Sequence, residues 1–112
     1  MVGQVKLQER HSLPVISVAG RMTVELGGEL SDLYESIPVE NRRRVLLDLT
    51  QTEYINSAGL ALLINLVSRA QEKSQTVDLV GVQDSVKRLI EIVGLIEFVT
   101  IYPDLHTAAG AA

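Results

Sequence analysis

One junction constrains this chain more than any other feature. Val45-Leu46-Leu47-Asp48-Leu49 is a nearly continuous apolar run, and a short polar segment follows it. Then Asn56-Ser57-Ala58-Gly59 stands at the head of a strongly apolar stretch, Leu60 to Val67. An apolar run of that length reads as a central strand covered on at least one face. The stretch after the junction reads as a helix from about Ser57 to Lys73. A buried strand, a polar turn and an apolar helix form the repeating unit of an α/β sheet. Helices inserted between strands imply parallel neighbours joined by right-handed crossovers.

The flanking sequence extends this pattern. Val5 to Glu9 and Val15 to Ala19 predict two strands joined by a turn at His11-Ser12-Leu13-Pro14, with Gly20 ending the second. Thr23 is a candidate helix N-cap, Leu26, Leu30, Leu33 and Ile37 recur at helical spacing, and Pro38 stops that helix. Gly27-Gly28 lies inside it at about 1 kcal/mol per glycine relative to alanine, which implies either close backbone approach or a frayed first turn. Val77 to Val80 is a strand ended by Gly81. A third helix starts near Asp84, carries Val86, Leu89, Ile90 and Val93 on one face, and ends at a C′ Gly94. Phe98 to Tyr102 is the last strand, Pro103 ends it, and 104–112 is a short helix or a frayed tail. The order is β-β-α-β-α-β-α-β, an α/β fold on a mixed sheet. The 112 residues make one domain, 1–112, with its core over about residues 4–106 and no repeat or linker.

Composition narrows the function. A net charge of −4 and a pI near 5.1 argue against nucleic acid as the main partner. With no cysteine there is no disulfide, thiolate chemistry or Cys-based metal site. The first residues lack a basic segment followed by an apolar one, and Leu60 to Val67 is too short to span a bilayer, so a cytoplasmic protein without membrane insertion is expected. His11 and His106 have no second ligand at metal spacing, so no metal is expected. Glycine-rich phosphate loops are absent. Ser57 as a nucleophile needs a nearby base and a strained turn that the sequence does not supply. No enzymatic role and no cofactor are expected. Arg42-Arg43-Arg44 reads as a solvated loop or, alternatively, as a site for an acidic partner or a phosphate.

Ser57 has two readings. A helix starting here leaves its first N–H groups without partners. Asn56 or Ser57 can cap them, with Gly59 giving close packing. Alternatively, Ser57 is a phosphorylation switch. A phosphate brings about −1.5 to −2 charges at neutral pH, which a helix N-terminus tolerates. The fold is then spared and the surface altered. Along the helix, Leu60, Leu63, Ile64, Val67 and Ala70 form the expected core stripe. Leu62 and Leu66 widen the apolar arc to about 200°, against ~100° for an ordinary surface helix. Either neighbouring helices cover these two or they form an exposed apolar ridge beside Ser57.

The segment from Asp48-Leu49-Thr50 through Tyr54-Ile55-Asn56-Ser57-Ala58-Gly59-Leu60 resembles the signature of STAS domains, in particular bacterial anti-sigma-factor antagonists. That family carries an Asp-Ser-Ser/Thr-Gly-Leu-like sequence at the start of its second helix. Gly20-Arg21-Met22-Thr23 falls where the family often has Gly-Glu-Leu-Asp. Gly94-Leu95-Ile96 through Ile101-Tyr102-Pro103 resembles its closing segment. The resemblance covers about residues 4 to 106 and implies a STAS domain with its helices mainly on one face of the sheet. It also implies a mechanism. The antagonist, a monomer or weak dimer, binds a serine kinase that is also an anti-sigma factor. The kinase, using ATP and Mg²⁺, phosphorylates Ser57 and switches the antagonist off, and a serine phosphatase reverses this. The partner surface is then Thr23, Asn56, Ser57, Ala58, Gly59, Leu60, Leu62 and Leu66. This chain has Asn56 and Thr23 where the family has aspartates, and Ala58 in place of a second hydroxyl. The alternative within the family is an unphosphorylated scaffold or ligand-binding subunit of a larger signalling or transport complex.

Overall fold

β1 (Gln4–Arg10) and β2 (Leu13–Met22) form an antiparallel hairpin closed by His11 and Ser12. Both turn residues have positive φ, 54° and 64°. This is the two-residue turn whose twist matches that of paired strands. The computed structural model describes residues 3–38 and 43–111. Arg42, first of the basic triplet, and the chain ends, 1–2 and 112, lie outside them.

β2 does not end at Gly20. The glycine takes φ 82° at a shift in strand register, and the strand runs on to Met22. The extension leaves Arg21 and Met22 with an edge open to pairing. β3 (Arg44–Asp48) pairs in parallel with Val15–Ser17, and β4 (Thr52–Ile55) pairs in parallel with Gly20–Met22. The segment read from sequence as a polar turn therefore contains a strand. Thr-Glu-Tyr-Ile is too short and polar to signal one alone, and it forms because β2 offers it a free edge. β3 pairs with β5 (Thr76–Val80), and β5 with β6 (Ile101–Tyr102), both in parallel. The last strand is shorter than expected. Gly94, left-handed at φ 78° as a C′ glycine, leads into a 3-10 turn over Leu95–Glu97, so pairing begins only at Ile101.

α1 (Gly27–Ser36), α2 (Ser57–Glu72) and α3 (Asp84–Ile92) cover one face of the sheet. Strand alternation aims Ile16, Val18, Val45, Leu47, Val77 and Leu79 into that core. Val15, Leu46 and Val80 point to the opposite face, where α4 (Leu105–Gly110) covers them with Ala108 and Leu105. Three helices on one face and one short helix on the other is the expected arrangement. α1 begins four residues later than Thr23, after a 3-10 turn over Val24–Leu26. Its first residue explains one of the two glycines: a Cβ on Gly27 would lie 3.1 Å from Leu62, so α1 and α2 approach closely there.

Arg44 corrects the reading of the basic triplet. It is the first residue of β3, and its guanidinium lies 3.4 Å from the carboxylate of Asp78, which is 4% exposed. Asp78 also accepts the Thr100 N–H at 3.0 Å, and Arg44 donates to the Ala111 carbonyl at 3.1 Å. The buried carboxylate thus ties β3 and β5 to the chain's last segments.

Candidate functional site

The site is built by the end of β2 and the β4–α2 junction. Ile55 pairs with Met22 in the sheet, and both are buried. The Asn56 N–H then donates to the Met22 carbonyl at 3.4 Å. Gly59 rests on the same carbonyl: a Cβ there would stand 2.0 Å from the Met22 oxygen. No side chain fits, and the requirement for glycine is steric.

Asn56, not Ser57, is the helix cap. Its Oδ1 accepts the Gly59 N–H at 2.8 Å. The first helical backbone bond runs from Leu60 N–H to Asn56 O at 2.9 Å. Ser57 and Ala58 are left as the residues whose N–H groups precede the helical ladder. Ser57 is exposed, and its hydroxyl makes no hydrogen bond to any described residue. With the capping role already filled, the serine is free for other chemistry. Replacing Asn56 with alanine removes the cap and is expected to lower stability by about 1 kcal/mol. Asn56→Asp keeps the acceptor, adds a charge at the positive helix end, and is expected to match wild type or exceed it slightly. Chemical denaturation of the three proteins checks this order, and equal losses in both variants would remove the capping assignment.

Thr23 lies next to this junction, one residue past Met22. Its hydroxyl donates to the Glu25 carboxylate rather than capping the following turn. That hydrogen bond holds the Glu25 carboxyl below its ordinary range, with Arg21 adding to the effect. Arg21 also lies over the Tyr54 ring at 4.5 Å. A carboxylate and a guanidinium, Glu25 and Arg21, therefore stand beside the end of β2. Neither was singled out from sequence as a functional residue, because only the β2–β4 pairing brings them to the junction.

Of the two readings of Leu62 and Leu66, cover by a neighbouring helix holds, and they form no exposed ridge for a partner. Leu66 is buried at 2% exposure and Leu62 is half-buried over Gly27, because α1 covers that flank. Ile64, assigned to the core stripe, is 39% exposed instead. The buried seam of α2 is rotated toward α1. The other flank opens on a shallow groove of about 230 Å³ lined by Ile64, Val67, Val93, Leu95 and Phe98 among others. Val93, read from sequence as part of the apolar face of the third helix, and Phe98 are exposed at 44% and 56%. Gly59 and Leu60 are buried and act as support rather than as surface.

Comparison with known proteins agrees with this architecture. The family model described as Mlab, STAS domain, matches residues 5–100, and the chain belongs to the STAS domain family. Anti-sigma-B factor antagonists are among its relatives. That of Staphylococcus aureus is 26% identical over 80 residues, covering 71% of this chain and 74% of that protein. That of Listeria monocytogenes is 26% identical over 98 residues, covering 87% and 86%. An anti-sigma factor antagonist from Mycobacterium paratuberculosis superposes with a TM-score of 0.79 at 20% identity, over 96% of this chain and 91% of that one. A sulfate transporter family protein from Wolinella succinogenes shares the fold too, with a TM-score of 0.75 at 16% identity, over 85% and 80%. Among the described residues, no helix is long and apolar enough to cross a membrane.

Proposed function

We propose that this protein is an anti-sigma-factor antagonist-like regulator that binds a serine kinase/anti-sigma factor and is released when Ser57 is phosphorylated. The observation that carries the reading is the division of labour at the α2 N-terminus. Asn56 holds the cap, so the exposed Ser57 hydroxyl is unengaged. A phosphoryl group on that oxygen meets the positive end of the helix and open N–H groups, and it leaves the cap intact. The fold therefore tolerates the charge, while a partner seated on the helix start does not. From Ser57, the exposed positions Ala61, Ile64 and Ser68 continue at helical spacing along α2. Ala61 and Ile64 give the partner a small apolar landing beyond the switch. In this reading the kinase uses ATP and Mg²⁺, a serine phosphatase restores binding, and all of them act in the cytoplasm.

Affinity capture from the source cell with wild-type, Ser57→Ala and Ser57→Asp baits tests this, together with phosphopeptide mapping of the native protein. The expected result is a kinase held by wild type and Ser57→Ala, lost at least tenfold with Ser57→Asp, and a phosphate on Ser57. Thermal stability of Ser57→Asp should equal or slightly exceed that of wild type, because the charge sits at a helix N-terminus. Identical partners for all three baits, with no phosphate at Ser57, would replace this reading with that of a constitutive STAS scaffold.

A further inference from the structure

The chain contains two histidines, at opposite ends of the sequence, and the fold brings them together. His11 occupies the β1–β2 turn and His106 the first turn of α4. Their ring centroids lie 6.1 Å apart with the planes at 65°. Both residues are exposed to solvent. We infer that His11 and His106 form a two-imidazole site for a divalent late transition-metal ion, with Zn²⁺ as its reference ligand. Such an ion would staple the first hairpin to the last helix.

Geometry supports this. With metal–nitrogen bonds of about 2.0–2.1 Å, two imidazoles on one ion place their centroids roughly 5.2 Å apart at the tetrahedral angle and 6.4 Å apart when opposed. The observed separation falls inside that interval. The supports are also fixed. The hairpin turn is locked by two consecutive left-handed residues, at positions where Asn-Gly would be the easier choice. The start of α4 is held by Asp104, whose carboxylate accepts the Thr107 N–H at 2.7 Å. Leu13, just past the turn, and Leu105, beside His106, join the same apolar cluster, so the turn and the helix share one base. Among the described residues no group of three His, Cys, Asp or Glu side chains gathers around an ion. The site is therefore a two-ligand chelate completed by water. It is weaker than a closed four-ligand zinc site and ranks Cu²⁺ above Ni²⁺ and Zn²⁺ among nitrogen-bound ions. Sequence spacing could not signal it, because both ligands come from tertiary contact.

Calorimetric titration of Zn²⁺ into wild type, His11→Asn and His106→Ala is the test. Asparagine suits the left-handed turn and alanine suits the helix, so both variants keep their local structure. The expected result is one Zn²⁺ per monomer in wild type and at least tenfold weaker binding in each variant. Zn²⁺ at about ten times its Kd should raise the wild-type melting temperature by about 5 °C and leave the variants unmoved. Three results would overturn the proposal: no Zn²⁺ binding by wild type, equal affinity in the single variants, or Zn²⁺ bound only between two copies, seen as dimerisation by sedimentation.

Discussion

Gly59→Ala is expected to destabilise this protein by about 2–3 kcal/mol, which lowers its melting temperature by roughly 10 °C. On propensity alone the change is favourable, since alanine gains up to about 1 kcal/mol over glycine inside a helix. The added methyl, however, would stand 2.0 Å from the Met22 carbonyl oxygen and 2.8 Å from its carbon. Those are backbone atoms of the sheet, held where β2 pairs with β4, and they cannot swing aside as a side-chain tip can. α2 must lift away from β2, and that move strains both the Asn56 cap and the Asn56–Met22 bond. Partner binding should fall along with stability, because Ser57 rides on the displaced turn. Thermal unfolding followed by circular dichroism measures the first effect. A melting temperature within 2 °C of wild type would mean that the helix start is not seated on β2 as described.

Asp78→Ala should be comparably damaging, at about 3 kcal/mol. Removing one member of a buried ion pair leaves the other without its partner, and such losses run to roughly 3–5 kcal/mol. Here the carboxylate also accepts the Thr100 N–H at 3.0 Å, so alanine orphans a backbone donor as well. Asp78→Asn separates the two contributions. It keeps an acceptor for Thr100 while removing the charge facing Arg44, and about half the loss is expected. Arg44 is partly open to water, with its side chain 18% exposed, which softens the penalty on its side. Urea denaturation of the two variants gives the comparison. Equal losses would assign the whole effect to the charge, and a loss below 1 kcal/mol in Asp78→Ala would show that the pair is not a structural tie.

Much of the fold was legible because hydrophobic period and glycine position agree along the chain. The apolar runs at β3 and β5, the hairpin signal around His11 and the C′ role of Gly94 are each local facts, and the structure keeps them. What escaped the sequence was decided by neighbours. Thr52–Ile55 has no strand pattern of its own and becomes β4 only because β2 outruns β3. Arg44 resembles a solvated base until register places it opposite a buried acid. On α2, hydropathy assigned Ile64 to the core and left Leu66 open. The choice was made by α1, which packs closely through Gly27, and by the uncovered groove beside Val93 and Phe98. At the site, the serine at the helix start was readable from the junction motif. The identity of the cap was not, because both Asn56 and Ser57 have the chemistry for it and only backbone geometry chooses between them.

The sharing of one β2 edge by two strands has a consequence for how such a site can change over time. β3 leaves that edge at Ser17 opposite Asp48, and β4 rejoins it at Gly20 opposite Thr52. The short connection between them is tied down at both ends. Leu49 N–H bonds to Val80 O at 2.9 Å, Gly20 N–H bonds to Gln51 O at 2.9 Å, and the Thr52 hydroxyl reaches Val18 O at 2.7 Å. β2 therefore works as a ruler that counts residues from the central strand to the serine. Inserting or deleting one residue in that interval exchanges inward and outward positions, turning Ile55 toward solvent and carrying Ser57 off its mark. The exposed side chains of the interval, Gln51, Glu53 and Tyr54, can drift, but the number of residues cannot. In this fold the address of the switch is written in chain length, and its chemistry is left open to revision.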